Sequence, residues 1–103
     1  MLKQQILQTK LIEKFSPHFI LVENESHRHS LELGGESHFK VVIVSDYFEN
    51  ITKISRHRQI YQLLSDEFHN GLHALSLHIY TLSEWELLEK VIPKSTSCIT
   101  RKK

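Results

Sequence analysis

The sequence predicts an α+β fold in which helices cover one face of a small three-stranded mixed sheet. Three observations carry this. The run Phe39-Lys40-Val41-Val42-Ile43-Val44 is the strongest strand signal in the chain. Residues 74–81 alternate, with Leu75, Leu77 and Ile79 on one face and Ser76, His78 and Tyr80 on the other, so this strand reads as apolar on one side only. The elements fall in the order helix, strand, strand, helix, strand, helix without an internal repeat. That order fits helices packed against one small sheet.

Residues 2–15 read as an amphipathic helix with Leu2, Ile6, Leu11, Ile12 and Phe15 as its apolar positions, closed before Ser16-Pro17 because proline sets the boundary. Phe19-Ile20-Leu21-Val22, followed by polar Glu23-Asn24-Glu25, is the first strand. Before the second strand stands a long loop rich in histidine, Ser26-His27-Arg28-His29-Ser30 through Gly34-Gly35-Glu36-Ser37-His38. Loops of a dozen residues are long for a hairpin and often functional. Imidazole is both a metal ligand and a proton switch near neutral pH.

After Ser45-Asp46 a turn around Glu49-Asn50 leads to a second helix, with Ile54, His57, Tyr61, Leu64 and Phe68 at spacings of three and four and Ile60 beside them. Asn70-Gly71 ends it, glycine being the usual left-handed cap. Ser83-Glu84-Trp85-Glu86 has the capping-box pattern of a last helix, with Trp85, Leu88 and Val91 or Ile92 turned inward and Pro93 as its stop. The rest is polar and basic. The expected division is a folded domain over 1–92 and a disordered basic tail over 93–103.

A chain of 103 residues supports one modest core. With 13 basic and 12 acidic side chains the net charge is +1, so any nucleic-acid binding must come from a local patch. The single Cys98 excludes an internal disulfide and a CxxC knuckle and suits a reducing compartment. No apolar run approaches the roughly 20 residues of a membrane span, and the first residues lack the order of a secretory signal. The expected location is the cytoplasm. No serine sits on a glycine-flanked elbow and no phosphate-binding glycine loop is present, so the expected protein is not an enzyme.

Three blocks are specific when taken together. Glu36-Ser37-His38-Phe39-Lys40-Val41-Val42-Ile43-Val44-Ser45-Asp46, Arg56-His57-Arg58-Gln59-Ile60-Tyr61 and Leu72-His73-Ala74-Leu75-Ser76-Leu77 closely resemble the BolA family in order and spacing, over roughly residues 1–90. The resemblance implies a fold like the class II KH domain. The chain lacks the GxxG loop with which a KH domain clamps a nucleic-acid backbone, so that fold alone does not imply nucleic-acid binding. Where many members carry glycine before the second helix, Asn50 stands here, and asparagine tolerates left-handed geometry.

The resemblance implies two functions. One is partnership with a monothiol glutaredoxin and glutathione, sharing a 2Fe-2S cluster that the isolated chain does not hold tightly. The family's ligand positions fall on His73 and on His29, with His27 as the rival. The other is DNA-binding regulation of morphology and stress genes, for which Lys53, Arg56 and Arg58 form a small basic edge. That edge suits the carboxylates of glutathione or of a partner equally well. Each residue also has a plainer role: His29 as a solvated loop residue, His73 as a cap on nearby backbone, His57 as a packed helix histidine, and the arginines as an outward-facing solvated edge. A closed structural zinc needs four ligands, usually with thiolates, which scattered imidazoles do not supply. The expected oligomeric state is a monomer or weak homodimer.

Overall fold

The computed structural model describes residues 2–25 and 38–88. Helix α1 (Lys3–Phe15) is followed by strands β1 (Phe19–Asn24) and β2 (His38–Val44), a 3-10 turn (Asp46–Phe48), helices α2 (Lys53–Leu63) and α3 (Ser65–His69), strand β3 (Ala74–Tyr80) and helix α4 (Leu82–Leu87). The sheet order is β1-β2-β3. β1 runs antiparallel to β2, with Phe19 opposite Val44 and Asn24 opposite Phe39. β3 runs parallel to β2, with His38 opposite Ala74 and Val44 opposite Tyr80. Parallel neighbours need a crossover, and α2 with α3 supplies it. The α+β class and the mixed three-stranded sheet are as the sequence predicts.

The covering of the sheet is two-sided, which differs from expectation. Phe39, Val41 and Ile43 face Leu7, Leu11, Phe15, Ile60 and Leu64 of the helices. Val42 and Val44 face the other way and meet Trp85, with Phe19, Leu21, Tyr80 and Leu82 around it. The unbroken apolar run of β2 therefore belongs to a central strand buried on both faces. α4 closes one end of the second face, its Trp85 ring stacked on Phe19 at 5.2 Å.

Four local expectations need correction. The buried row of α1 is Lys3, Leu7, Leu11 and Phe15. Leu2 and Ile12 are exposed. This i, i+4 row puts three large side chains in the core while the Lys3 ammonium reaches Glu67 at 3.0 Å. The single helix expected over 54–68 is bent at Leu64 (φ −100°, ψ 14°). The bend keeps Leu64 buried and turns Glu67 towards α1, where Lys3 and Lys10 each hold one of its oxygens at 3.0 Å. Third, α4 is capped by Thr81 rather than Ser83. The Thr81 hydroxyl accepts from the Glu84 N–H at 3.2 Å and Glu84 Oε1 accepts from the Thr81 N–H at 2.9 Å. Both tetrapeptides fit the pattern, but Thr81 is buried at the end of β3 and its hydroxyl must find a partner there. Finally, Leu88 is exposed rather than packed. Val91, Ile92 and the tail lie outside the described residues.

Asn50 adopts φ +62°, the left-handed geometry the sequence allows. Gly71 has φ +104°, and the Leu72 N–H just beyond it donates to the Glu67 carbonyl at 3.0 Å. This six-to-one bond ends α3 in the Schellman manner and buries Leu72, which fixes the direction in which His73 leaves the turn. Among the described residues no helix is long and apolar enough to cross a membrane.

Candidate functional site

Two histidines open two adjacent strands. His38 is the first residue of β2, and His73 immediately precedes β3. Because the strands are parallel with His38 opposite Ala74, both imidazoles come to the same end of the sheet. Their rings lie nearly parallel, 11° apart, with centroids separated by 6.2 Å. His73 is exposed, and among the described residues its ring makes no hydrogen bond to backbone. The plainer role as a backbone cap is therefore not the one it plays here.

His29 and His27 lie outside the described residues. The two ends of the segment that carries them meet, the Glu25 N–H donating to the carbonyl of His38, the neighbour of His73, at 2.8 Å. His38 was visible in the sequence as part of a family block but had no assigned role. Only the parallel register brings it to His73, and the strand direction cannot be read from a one-residue pattern. Among the described residues no group of three or more His, Cys, Asp or Glu side chains is arranged to hold a metal. The pair His38 and His73 supplies two imidazoles and, among the described residues, no third ligand beside them.

The basic edge differs more from expectation. Arg56 does not point outward. It is 5 % exposed, with its Nε–H donated to the Ile51 carbonyl at 2.8 Å and Nη1 to the Ile79 carbonyl at 3.3 Å. Nη1 and Nη2 grip the two oxygens of Glu84 at 2.7 and 3.1 Å. The guanidinium thereby satisfies a carbonyl of the edge strand β3 and ties α2 to α4. This bidentate hydrogen bond holds the Glu84 carboxyl below the usual carboxylate range, against the opposing effect of burial. The signal was present in sequence: Glu84 sits at the third position of a helix cap, but its partner 28 residues away could not be named.

Lys53 and Arg58 are exposed. His57 is exposed as well, not packed, and its Nδ1–H donates to the Lys53 carbonyl one turn back at 2.9 Å. His78, on the second face of the sheet, is half-buried with Nε2 3.3 Å from Ser76 Oγ. Burial pushes its pKa below the usual histidine value, helped by the charges of Lys40 and His57 and opposed by Glu25. Lys40 is itself buried and paired with Glu23 at 3.2 Å.

The family model described as BolA-like protein matches residues 11–84. A curated relative from Haemophilus influenzae, named DNA-binding transcriptional regulator BolA, is 50 % identical over 92 % of this chain and 92 % of its own length. The Escherichia coli protein of the same name is 44 % identical over 95 % of this chain and 93 % of its own. Among solved structures, BolA1 from Arabidopsis thaliana superposes with a TM-score of 0.78 at 36 % identity, covering 82 % of this chain and 96 % of that one. The solution structure of BolA1 from Mus musculus gives 0.77 at 30 % identity, covering 94 % and 78 %. A match of this extent, carried on the same strands and helices that place His38 and His73 side by side, makes this chain a member of the BolA family.

Proposed function

We propose that this chain is the imidazole-donating partner of a monothiol glutaredoxin, and that a 2Fe-2S cluster is the cargo the two proteins hold with glutathione. The observation that carries the reading is His73, an exposed imidazole at the mouth of β2 and β3 with no backbone hydrogen bond among the described residues. His29, with His27 as rival, belongs to the connection whose ends, Glu25 and His38, meet beside it. The donor set fits a shared site and not a closed one, because the thiolates must come from the partner. Imidazole from this chain and thiolates from the partner would hold such a cluster together, and imidazole ligation would raise its reduction potential relative to an all-cysteine cluster. Ligation needs the neutral imidazole, so assembly releases protons and is weakened by acid. The test is visible circular dichroism of a cluster-loaded monothiol glutaredoxin on addition of this chain. A new spectrum that is lost in His73→Ala supports the reading, and an unchanged spectrum removes it.

A second reading, a DNA-binding transcriptional regulator, is favoured by the names of relatives from three bacteria at 42 to 50 % identity. With Arg56 occupied, the exposed cations of the edge are Lys53 and Arg58. Neutralising about two phosphates gives a slope of log K against log salt of roughly −2. Fluorescence anisotropy of a labelled duplex over a salt series checks this. Lys53→Ala with Arg58→Ala should weaken binding while His73→Ala does not.

A further inference from the structure

At the end of β3 opposite His73, two clefts lie next to each other. One, of about 160 Å³, is lined by Lys53, Arg56 and His57 of α2 and by residues 77–80 of β3. The other, of about 240 Å³, is lined by Lys53, Tyr80, Glu84, Leu87 and Leu88. Lys53 and Tyr80 line both, which sets a basic half and an apolar half side by side in what is taken here as one groove. Arg56 lines the basic half but is tied to Glu84 by its bidentate bond, so the exposed charge there is that of Lys53, which also acts on Glu84, beside the imidazoles of His57 and His78. Among the described residues the Lys53 ammonium has no carboxylate within 4.0 Å. In the apolar half Leu87 is 83 % exposed and Leu88 is 45 % exposed, a large uncovered area for neighbouring side chains.

We infer that this groove receives a short peptide segment of a partner protein in which an apolar side chain is followed by carboxylates. The apolar residue lies against Tyr80, Leu87 and Leu88, and the carboxylates reach Lys53 beside the His57 and His78 rings. Charge and polarity select this occupant. A nucleic-acid backbone needs a run of cations, whereas this groove offers one exposed ammonium beside two exposed leucines and the Glu84 carboxylate. The chain's own residues 89–103 carry five basic side chains and one acidic one, the wrong sign for the basic half. At this end of β3 the Ile79 carbonyl on the free edge already accepts from Arg56. The contacts inferred here are made by side chains.

The test uses the full chain, labelled with nitrogen-15, and an end-blocked peptide with a Leu-Phe pair followed by three Asp residues. The expected result is saturable shifts confined to Lys53, His57, His78, Tyr80 and Leu87, with affinity reduced about tenfold in Lys53→Glu and in Leu87→Ser. Both substituted residues are exposed, so unchanged melting temperatures should accompany the loss. A peptide with Lys in place of Asp should not bind. No saturable shift overturns the inference. So do shifts of the same residues by duplex DNA but not by the peptide, shifts that depend on protein concentration alone, or nuclear Overhauser contacts from residues 89–103 to the Tyr80 ring. Because no glutaredoxin or cluster is present, failure here is separate from failure of the cluster reading.

Discussion

Arg56→Ala separates a structural arginine from a DNA-contacting one. The substitution removes two hydrogen bonds to backbone carbonyls and a bidentate ion pair. Each carbonyl bond contributes about 1 kcal/mol. The Glu84 side chain is 38 % exposed, so water re-solvates it and the pair is worth about 1 kcal/mol rather than the larger cost of a fully buried one. The total is about 3 kcal/mol, which for a domain of this size lowers the melting temperature by roughly 12–24 °C. Thermal and urea unfolding measure it, with Arg58→Ala as a control expected within about 0.5 kcal/mol of the parent. The pH dependence adds a signature. Glu84 has a lowered folded pKa, chiefly through its Arg56 hydrogen bond, so its stabilisation is present above the ordinary carboxylate pKa of 4.5 and is lost as pH falls through the folded value. Arg56→Ala should make that acid loss shallower. An Arg56→Ala protein as stable as the parent would refute the reasoning and return Arg56 to the DNA-contacting edge.

Other substitutions test the remaining supports. Glu67→Gln removes the carboxylate that Lys3 and Lys10 share, leaving Lys3 its bond to the Asn70 carbonyl, and should cost about 3 kcal/mol by urea unfolding. Although burial raises the Glu67 pKa, the hydrogen bonds and charges of Lys3 and Lys10 leave it below 4.5. The variant should therefore lose less stability than the parent as pH drops below that value. Trp85→Ala should cost about 3–5 kcal/mol and expose the second sheet face to the dye ANS. Gly71→Ala meets no atom within 4 Å, so its cost is that of the backbone at φ +104°, about 1–2 kcal/mol by thermal melting.

The sheet was legible because β2 announces itself: five of its seven residues are apolar and four of those are β-branched, a pattern that packing and propensity both favour. Asn50 and Gly71 were legible for a different reason, since few residues accept positive φ and each stood at an element boundary. Arg56 was misread because a one-dimensional helix stripe assigns charged residues to solvent. Its burial depends on Glu84 and on a free carbonyl of β3, neither of which is local. The same limit hid the covering of the second face, since Trp85 reaches Phe19 across 66 positions of chain. At the candidate site, His73 came from the family resemblance, whereas its neighbour His38 came from strand register alone.

The most direct test of the central claim is pulsed electron paramagnetic resonance of the reduced 2Fe-2S complex formed with a monothiol glutaredoxin, read for nitrogen coupled to the cluster. Two coupled imidazole nitrogens are expected, falling to one in His73→Ala and separately to one in His29→Ala or His27→Ala. Cluster spectra without nitrogen coupling, or coupling unchanged in His73→Ala, would contradict it.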